Sequence, residues 1–257
     1  MKILKFISIL MLIPSLCFGA SSRNFAGGTS TDNINHGSSF DDLFQSTMTI
    51  SFWEKITGFD TTPRRVFNKG SDGGGPGNGY FLDTTSATGG ACSGTARHNL
   101  IVRWSGTEAT WCVNSAISTG VWHFVAVTYN GTATTNDPSI FYNSVSQTVA
   151  ESVGPSGTIT SDAAFSYQVG NRETTKNRSF NGSIAYNSVH SQILTHPLIA
   201  ESMYKPCSVP NGNVLCSPLF GDSTELDLSG NANTGTVSGA SAGTSGPPVM
   251  FGGGLPL

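Results

Sequence analysis

Apolar and polar positions alternate in short bursts along this chain, and the strongest burst is Val-Trp-His-Phe-Val-Ala-Val-Thr-Tyr at 121–129, closed by Asn130-Gly131. Both alternating sets are largely apolar: Val121, Val125, Val127 and Tyr129 on one side, Trp122, Phe124 and Ala126 on the other. A strand of this kind is predicted deep in a sheet, covered on both faces. The closing Asn-Gly is a turn signal, because both residues tolerate positive φ. Residues 48–56 alternate more strictly, with Met48, Ile50, Phe52 and Ile56 turned inward, which sets their register.

Further strands are predicted at 31–35, 64–69, 80–84, 99–104, 109–113, 139–143, 165–169 and 179–190, the last bent at Asn181-Gly182. Ser105-Gly106 makes a hairpin of 99–104 and 109–113. Residues 21–28 read as a loose segment, and 70–79, 85–98, 132–137 and 152–162 as loops. Only 197–204 reads as a helix, with Thr195 placed to cap it and Pro197 in its first turn. Many short strands joined by Gly, Asn, Ser and Pro turns predict an all-β, two-sheet antiparallel sandwich with one short helix.

At the start, Lys2 and Lys5 precede an apolar run over 6–18 that is too short to span a bilayer and is interrupted by Pro14. Residues 1–19 are therefore expected to be a secretory signal peptide, with a lipidated Cys17 the lesser reading, and the product secreted, extracellular or held at a cell surface. Residues 20–250 are expected to form one domain, with a flexible tail at 251–257. Without Lys2 and Lys5, 11 basic residues face 16 acidic ones, a net charge of about −5. That balance argues against nucleic acid as a partner, and no later segment suggests membrane insertion. Four cysteines remain after the leader and allow three pairings; the local one, Cys92 with Cys112 and Cys207 with Cys216, is expected.

Taken in order, Thr49-Ile-Ser-Phe-Trp53, Arg65-Val-Phe-Asn-Lys-Gly70 with Gly79-Tyr-Phe-Leu82, Gly120-Val-Trp-His-Phe-Val-Ala-Val-Thr-Tyr-Asn-Gly131, and Val169-Gly170 with Phe180-Asn-Gly-Ser-Ile184 resemble the strand motifs of the LamG-like (laminin G, concanavalin A-like) jelly-roll family. The third piece is the most specific, and the set spans about 34–204. The resemblance implies a jelly-roll sandwich. A further stretch, Leu226-Asp-Leu-Ser-Gly-Asn-Ala-Asn-Thr-Gly-Thr236, is similar to one that in many members precedes the first strand, yet here it comes last. Jelly-roll termini lie close together, so 211–250 is expected to pack back on the same sandwich. Members often carry a calcium ion, but the carboxylate common after the last motif is Ala185 here. Asp32 and Asp72 remain as candidate calcium ligands, and no other cofactor is implied.

Glycoside hydrolases of related fold need two carboxylates about 5–9 Å apart, and their Glu-x-Asp-x-x-Glu strand is absent. Glu54, Glu108, Asp41 and Asp42 stand apart and are expected to solvate the surface. The five histidines lack metal-ligand spacing, and His123 reads as a structural residue. For ligand binding the candidates are Tyr80, Asn78, Trp104, Trp111, Asn171 and Arg172, since aromatic faces stack on sugar C–H groups while amides and guanidinium groups supply hydrogen bonds. The competing reading makes Trp104 and Trp111 a cross-strand core pair. The sequence thus points to a non-enzymatic recognition module for a glycan or an extracellular protein. The alternatives are a structural or assembly component of a cell surface or virus particle and, third, a divergent glycoside hydrolase.

Overall fold

The computed structural model describes residues 22–71, 77–87, 96–220 and 223–249. The signal peptide, the tail, Asp72 and Cys92 lie outside the described residues. The strands run β1 (Arg23–Ala26), β2 (Asn33–Asn35), β3 (Thr47–Ile56), β4 (Arg64–Gly70), β5 (Gly79–Thr85), β6 (Arg97–Arg103), β7 (Glu108–Val113), β8 (His123–Asn130), β9 (Ser139–Tyr142), β10 (Val145–Ser146), β11 (Val149–Val153), β12 (Gln168–Val169) and β13 (Asn181–His190). Helix α1 (His196–Tyr204) comes next, then β14 (Asn213–Ser217), β15 (Thr224–Glu225), β16 (Gly235–Ser238) and β17 (Ser241–Ala242). One sheet has the order β10-β9-β8-β3-β13-β1-β17, with β14 also paired to β13; the other runs β11-β7-β6-β5-β4-β12-β2-β16-β15. This is the two-sheet antiparallel sandwich that the periodicity predicts, in the jelly-roll form that the family resemblance implies. No described helix is long and apolar enough to cross a membrane.

Strand β8 lies between β3 and β9, and the double-sided apolar pattern has its physical cause there. Val125, Val127 and Tyr129 enter the core between the sheets with Ile50, Phe52 and Trp111. Phe124 and Ala126 face away from that core, where Trp53, Ala185, Ile199 and Met203 join them beneath α1. The Trp53 indole Nε1 donates to the Met203 carbonyl at 3.1 Å and ties the helix down. Each large apolar side chain buried in these layers contributes about 1.5–3 kcal/mol.

Several local expectations are corrected. The segment expected to be loose contains β1, because Phe25 is buried against Phe180, with ring centroids 6.3 Å apart, and its backbone pairs with β13 and β17. Strand β13 is irregular between Ala185 and Ser188 rather than at Asn181-Gly182, and Tyr186 adopts φ +51° there. Thr195 precedes the helix, but its side chain makes no capping hydrogen bond. Strand β11 forms on the sheet edge and takes in the first two residues of the predicted 152–162 loop. From the last part of the chain, β14 pairs with β13, β16 with β2, and β17 with β1.

The core also holds charge. Glu54, expected at the surface, is fully buried between Phe52 and Ile56, with His98 Nε2 at 3.0 Å, and His98 Nδ1 lies 2.8 Å from the Tyr142 hydroxyl. Lys69 is fully buried too. Its Nζ donates to Asp41 Oδ1 at 2.7 Å and to the carbonyls of Phe165 and Asp162 at 2.7 and 3.2 Å, and it lies 3.2 Å from Asp162 Oδ1. Asp42, also expected to be solvated, exchanges backbone-to-carboxylate hydrogen bonds with Asp162 at 2.8 and 2.9 Å. Each of these acids thus has a partner in the fold, and Asp41 and Glu108 keep about a third or more of the side chain exposed, at 39% and 34%.

Candidate functional site

The six ligand-binding candidates do not come together. Tyr80 is on the inward side of β5, buried and stacked on Phe44 with centroids 3.8 Å apart. Trp104 and Trp111 are both in the core, and the Trp111 Nε1 donates to Asp137 Oδ1 at 2.8 Å. These three side chains are not available to a ligand, and the core alternative describes the two tryptophans, although Trp111 pairs across the sheet with Leu100 rather than with Trp104. Asn78 is exposed and donates to the Ser161 carbonyl at 2.8 Å. Asn171 is buried, whereas Arg172 is half-buried and lines a cleft.

That cleft, about 330 Å³, lies on the outer face of the nine-stranded sheet. Its floor is set by strand alternation. Since Leu82, Leu100 and Val102 point into the core, their neighbours Phe81, Asp83, Asn99, Ile101 and Arg103 point the other way. The antiparallel register sets Arg65 opposite Asp83, Asp83 opposite Asn99, Phe81 opposite Ile101, and Arg103 opposite Glu108. Two cross-strand ion pairs result, Arg65 with Asp83 and Arg103 with Glu108. The Arg65 guanidinium carbon also lies 3.5 Å from the Phe81 ring centroid, so a charged plane rather than a bare aromatic face forms the floor. Arg103 is 5.4 Å from the same ring.

Burial raises the carboxyl pKa of Asp83, against the pull of Arg65, and burial likewise raises that of Glu108 against Arg103. The floor therefore presents planar donors and acceptors held by their neighbours, with little freedom to reorient.

One wall is built by the loop between β12 and β13, and Asn171 is its anchor. The Asn171 side-chain oxygen accepts the backbone N–H groups of Arg172 at 2.9 Å and Arg178 at 3.0 Å, which closes the loop and brings these two arginines to the cleft. Its Nδ2 donates to the Ser30 and Asp32 carbonyls at 3.0 and 3.1 Å. The expectation that Asn171 binds ligand is thus replaced by a positioning role. Gly170, at φ +81°, permits the approach: a Cβ there would overlap the Phe25 ring. Arg178 also donates to the Pro63 carbonyl at 3.3 Å. Sequence reasoning found only Arg172 of this set. The signal it lacked was the shared outward parity of Arg65, Asp83, Asn99 and Arg103, which has meaning only once strand order is known.

Of the two candidate calcium ligands, Asp72 lies outside the described residues and Asp32 is engaged within the fold. Asp32 Oδ2 accepts the Ala26 N–H at 2.7 Å, its own carbonyl is taken by Asn171, and Ala185 is enclosed by apolar side chains beneath α1. Among the described residues no three His, Cys, Asp or Glu side chains gather to hold a metal ion. Cys207 and Cys216 form a disulfide with Cα atoms 5.6 Å apart. Cys112 is also disulfide-bonded; its expected partner, Cys92, is outside the described residues.

Comparisons with known proteins extend the fold. A "putative carbohydrate binding protein" from Bacteroides ovatus ATCC 8483 superposes with a TM-score of 0.62 at 18% identity, over 90% of this chain and 62% of its own length. This chain thus spans less than two thirds of that protein. The heptameric SAP-like pentraxin of Limulus polyphemus superposes with a TM-score of 0.52 at 13% identity, over 89% of this chain and 96% of its own. Comparison with curated proteins finds no match. The laminin G family model described as the concanavalin A-like lectin/glucanases superfamily matches residues 27–200, well over half of the chain, and the protein belongs to that superfamily.

Proposed function

We propose that this protein is a secreted, non-catalytic carbohydrate-recognition module whose site is the cleft on the outer face of the nine-stranded sheet. The observation that carries this reading is the set of planar polar side chains at fixed spacing on the floor: Asp83 and Arg65, Asn99, and Arg103 with Glu108. Vicinal sugar hydroxyls each donate and accept, and bidentate groups already held in place bind them with little further loss of side-chain entropy. The fold shared with the Bacteroides protein supports the reading at the level of architecture.

Asp83 and Glu108 in one cleft also favour a second reading, glycoside hydrolysis. Their strands β5 and β7 flank β6, and the register sets them four residues apart along it. At about 4.8 Å per strand and 3.4 Å per residue, their Cα atoms are roughly 17 Å apart. That is wide for a pair needing carboxyl groups about 5.5 Å apart for retention or up to about 9.5 Å for inversion. Burial raises both carboxyl pKa values against the pull of their arginines, so it is the spacing that argues against this reading.

A glycan array followed by calorimetry tests the proposal. A bound oligosaccharide should lose about tenfold in affinity with Asn99→Ala, the cost of one good hydrogen bond, with no release of reducing ends by the parent chain. Turnover abolished by Asp83→Asn or Glu108→Gln would establish the hydrolase instead. Ordered oligomers without any glycan binding would favour an assembly role.

A further inference from the structure

The cleft has a sign. Four guanidinium groups, Arg65, Arg103, Arg172 and Arg178, line it against two carboxylates, Asp83 and Glu108, whereas the whole chain carries a formal net charge of −3. Cross-strand pairing accounts for Arg65 with Asp83 and for Arg103 with Glu108. Arg172 and Arg178 come from the Asn171-anchored loop, so the fold brings these two guanidinium groups in from outside the sheet. We infer that the ligand of this cleft is an acidic glycan, one bearing a carboxylate or a sulfate that Arg172 and Arg178 receive at the wall while its hydroxyls meet the floor. This rests on the proposal that the cleft binds carbohydrate, and adds the charge class.

Three observations converge on it. Arg172 and Arg178 are half-buried, so their charges are less screened by water than those of free surface arginines. Burial lowers the Arg178 pKa, and the like charges of Arg65 and Arg172 lower it further, a crowding that an incoming anion relieves. Arg65 Nε is buried without a hydrogen-bond partner, and its guanidinium carbon lies 3.5 Å from the Phe81 ring centroid. Guanidinium groups bind carboxylate and sulfate oxygens through paired, charge-assisted hydrogen bonds, which lysine cannot reproduce in the same plane. A neutral sugar brings no countercharge to the crowding of Arg178 by Arg65 and Arg172.

The experiment compares matched probes on the full mature chain by calorimetry: lactose against α2,3-sialyllactose for a carboxylate, and cellotetraose against a glucuronate-bearing tetrasaccharide and a heparin-derived, sulfated tetrasaccharide. At least one acidic probe should bind about tenfold or more tighter than its neutral match, and its affinity should fall as NaCl rises. Arg172→Gln/Arg178→Gln should remove that preference, and Arg172→Lys/Arg178→Lys should restore it only in part. The unfolding midpoint of each variant shows that the fold is retained, and Lys205→Gln, on the short stretch after α1, should leave binding unchanged. Acidic and neutral probes bound within twofold of each other would overturn the charge assignment and leave the carbohydrate reading standing. No binding of any probe, with none on a broad array, would overturn both.

Discussion

Lys69 offers a direct test of how the sandwich interior is held together. Its ammonium is fully buried among Asp41 Oδ1, Asp162 Oδ1 and the carbonyls of Asp162 and Phe165, an all-oxygen shell with every distance between 2.7 and 3.2 Å. Lys69→Met keeps the length of the apolar stem and removes the charge. The carboxylate of Asp162, with 2% of its side chain exposed, then remains in the interior without its cation. Removing one partner of a buried pair costs about 3–5 kcal/mol, and two carbonyls lose a donor as well. Burial already raises the Asp162 pKa against the pull of the Asp42 N–H and Lys69, so without Lys69 it rises further. The folded variant then binds a proton at Asp162 that the unfolded chain does not, and its stability relative to the parent recovers as pH falls from 7 towards 4. Urea unfolding followed by tryptophan fluorescence reads this, since Trp104 and Trp111 are both buried. Lys69→Met/Asp162→Asn should be less unstable than the sum of the single variants. A Lys69→Met chain within 1 kcal/mol of the parent at pH 7, or strict additivity in the cycle, would refute the reasoning.

Gly170→Ala should destabilise by about 2–4 kcal/mol, from the left-handed φ of +81° and the overlap with Phe25, and should weaken glycan binding through the displaced arginine loop; denaturation beside calorimetry checks both. Cys207→Ser/Cys216→Ser opens a short loop of sequence separation 9 and should cost roughly 2.5 kcal/mol by loop entropy, visible as a lower urea midpoint. Burial depresses the His36 pKa from 6.5 to about 4, and its Nε2 is buried without a partner. The unfolded chain therefore takes up a proton between pH 6.5 and 4 that the folded chain refuses. The contribution is intact above pH 6.5 and falls by roughly 3 kcal/mol across that window. His36→Gln should flatten the stability–pH profile there, and an unchanged slope would assign the loss to other groups.

Legibility in the sequence tracks how far each pattern depends on its neighbours. Strand β8 could be found because both its faces are apolar, one for the opposite sheet and one for α1, so its pattern stands without knowledge of strand order. Glu54 was legible in position and misread in chemistry: alternation places it inward between Phe52 and Ile56, but His98, which answers it, comes from the other sheet. Tyr80 is offered to a ligand for its aromatic face, while the parity it shares with Leu82 turns it to the core. The cleft was the least legible. Arg65, Asp83, Asn99 and Arg103 each look like an ordinary solvated strand position, and only the order β4-β5-β6-β7 makes them one surface. Arg178 reaches it from a loop that contacts Pro63 across 115 residues of sequence.

The most direct test of the central claim is a crystal structure of the chain with its tightest-binding acidic tetrasaccharide. The sugar is expected over Arg65 and Asn99 on the outer face of the nine-stranded sheet, with its anionic group between Arg172 and Arg178. A sugar seated on the α1 side of the other sheet, or beside Asn78, with the arginine cleft untouched, would contradict it.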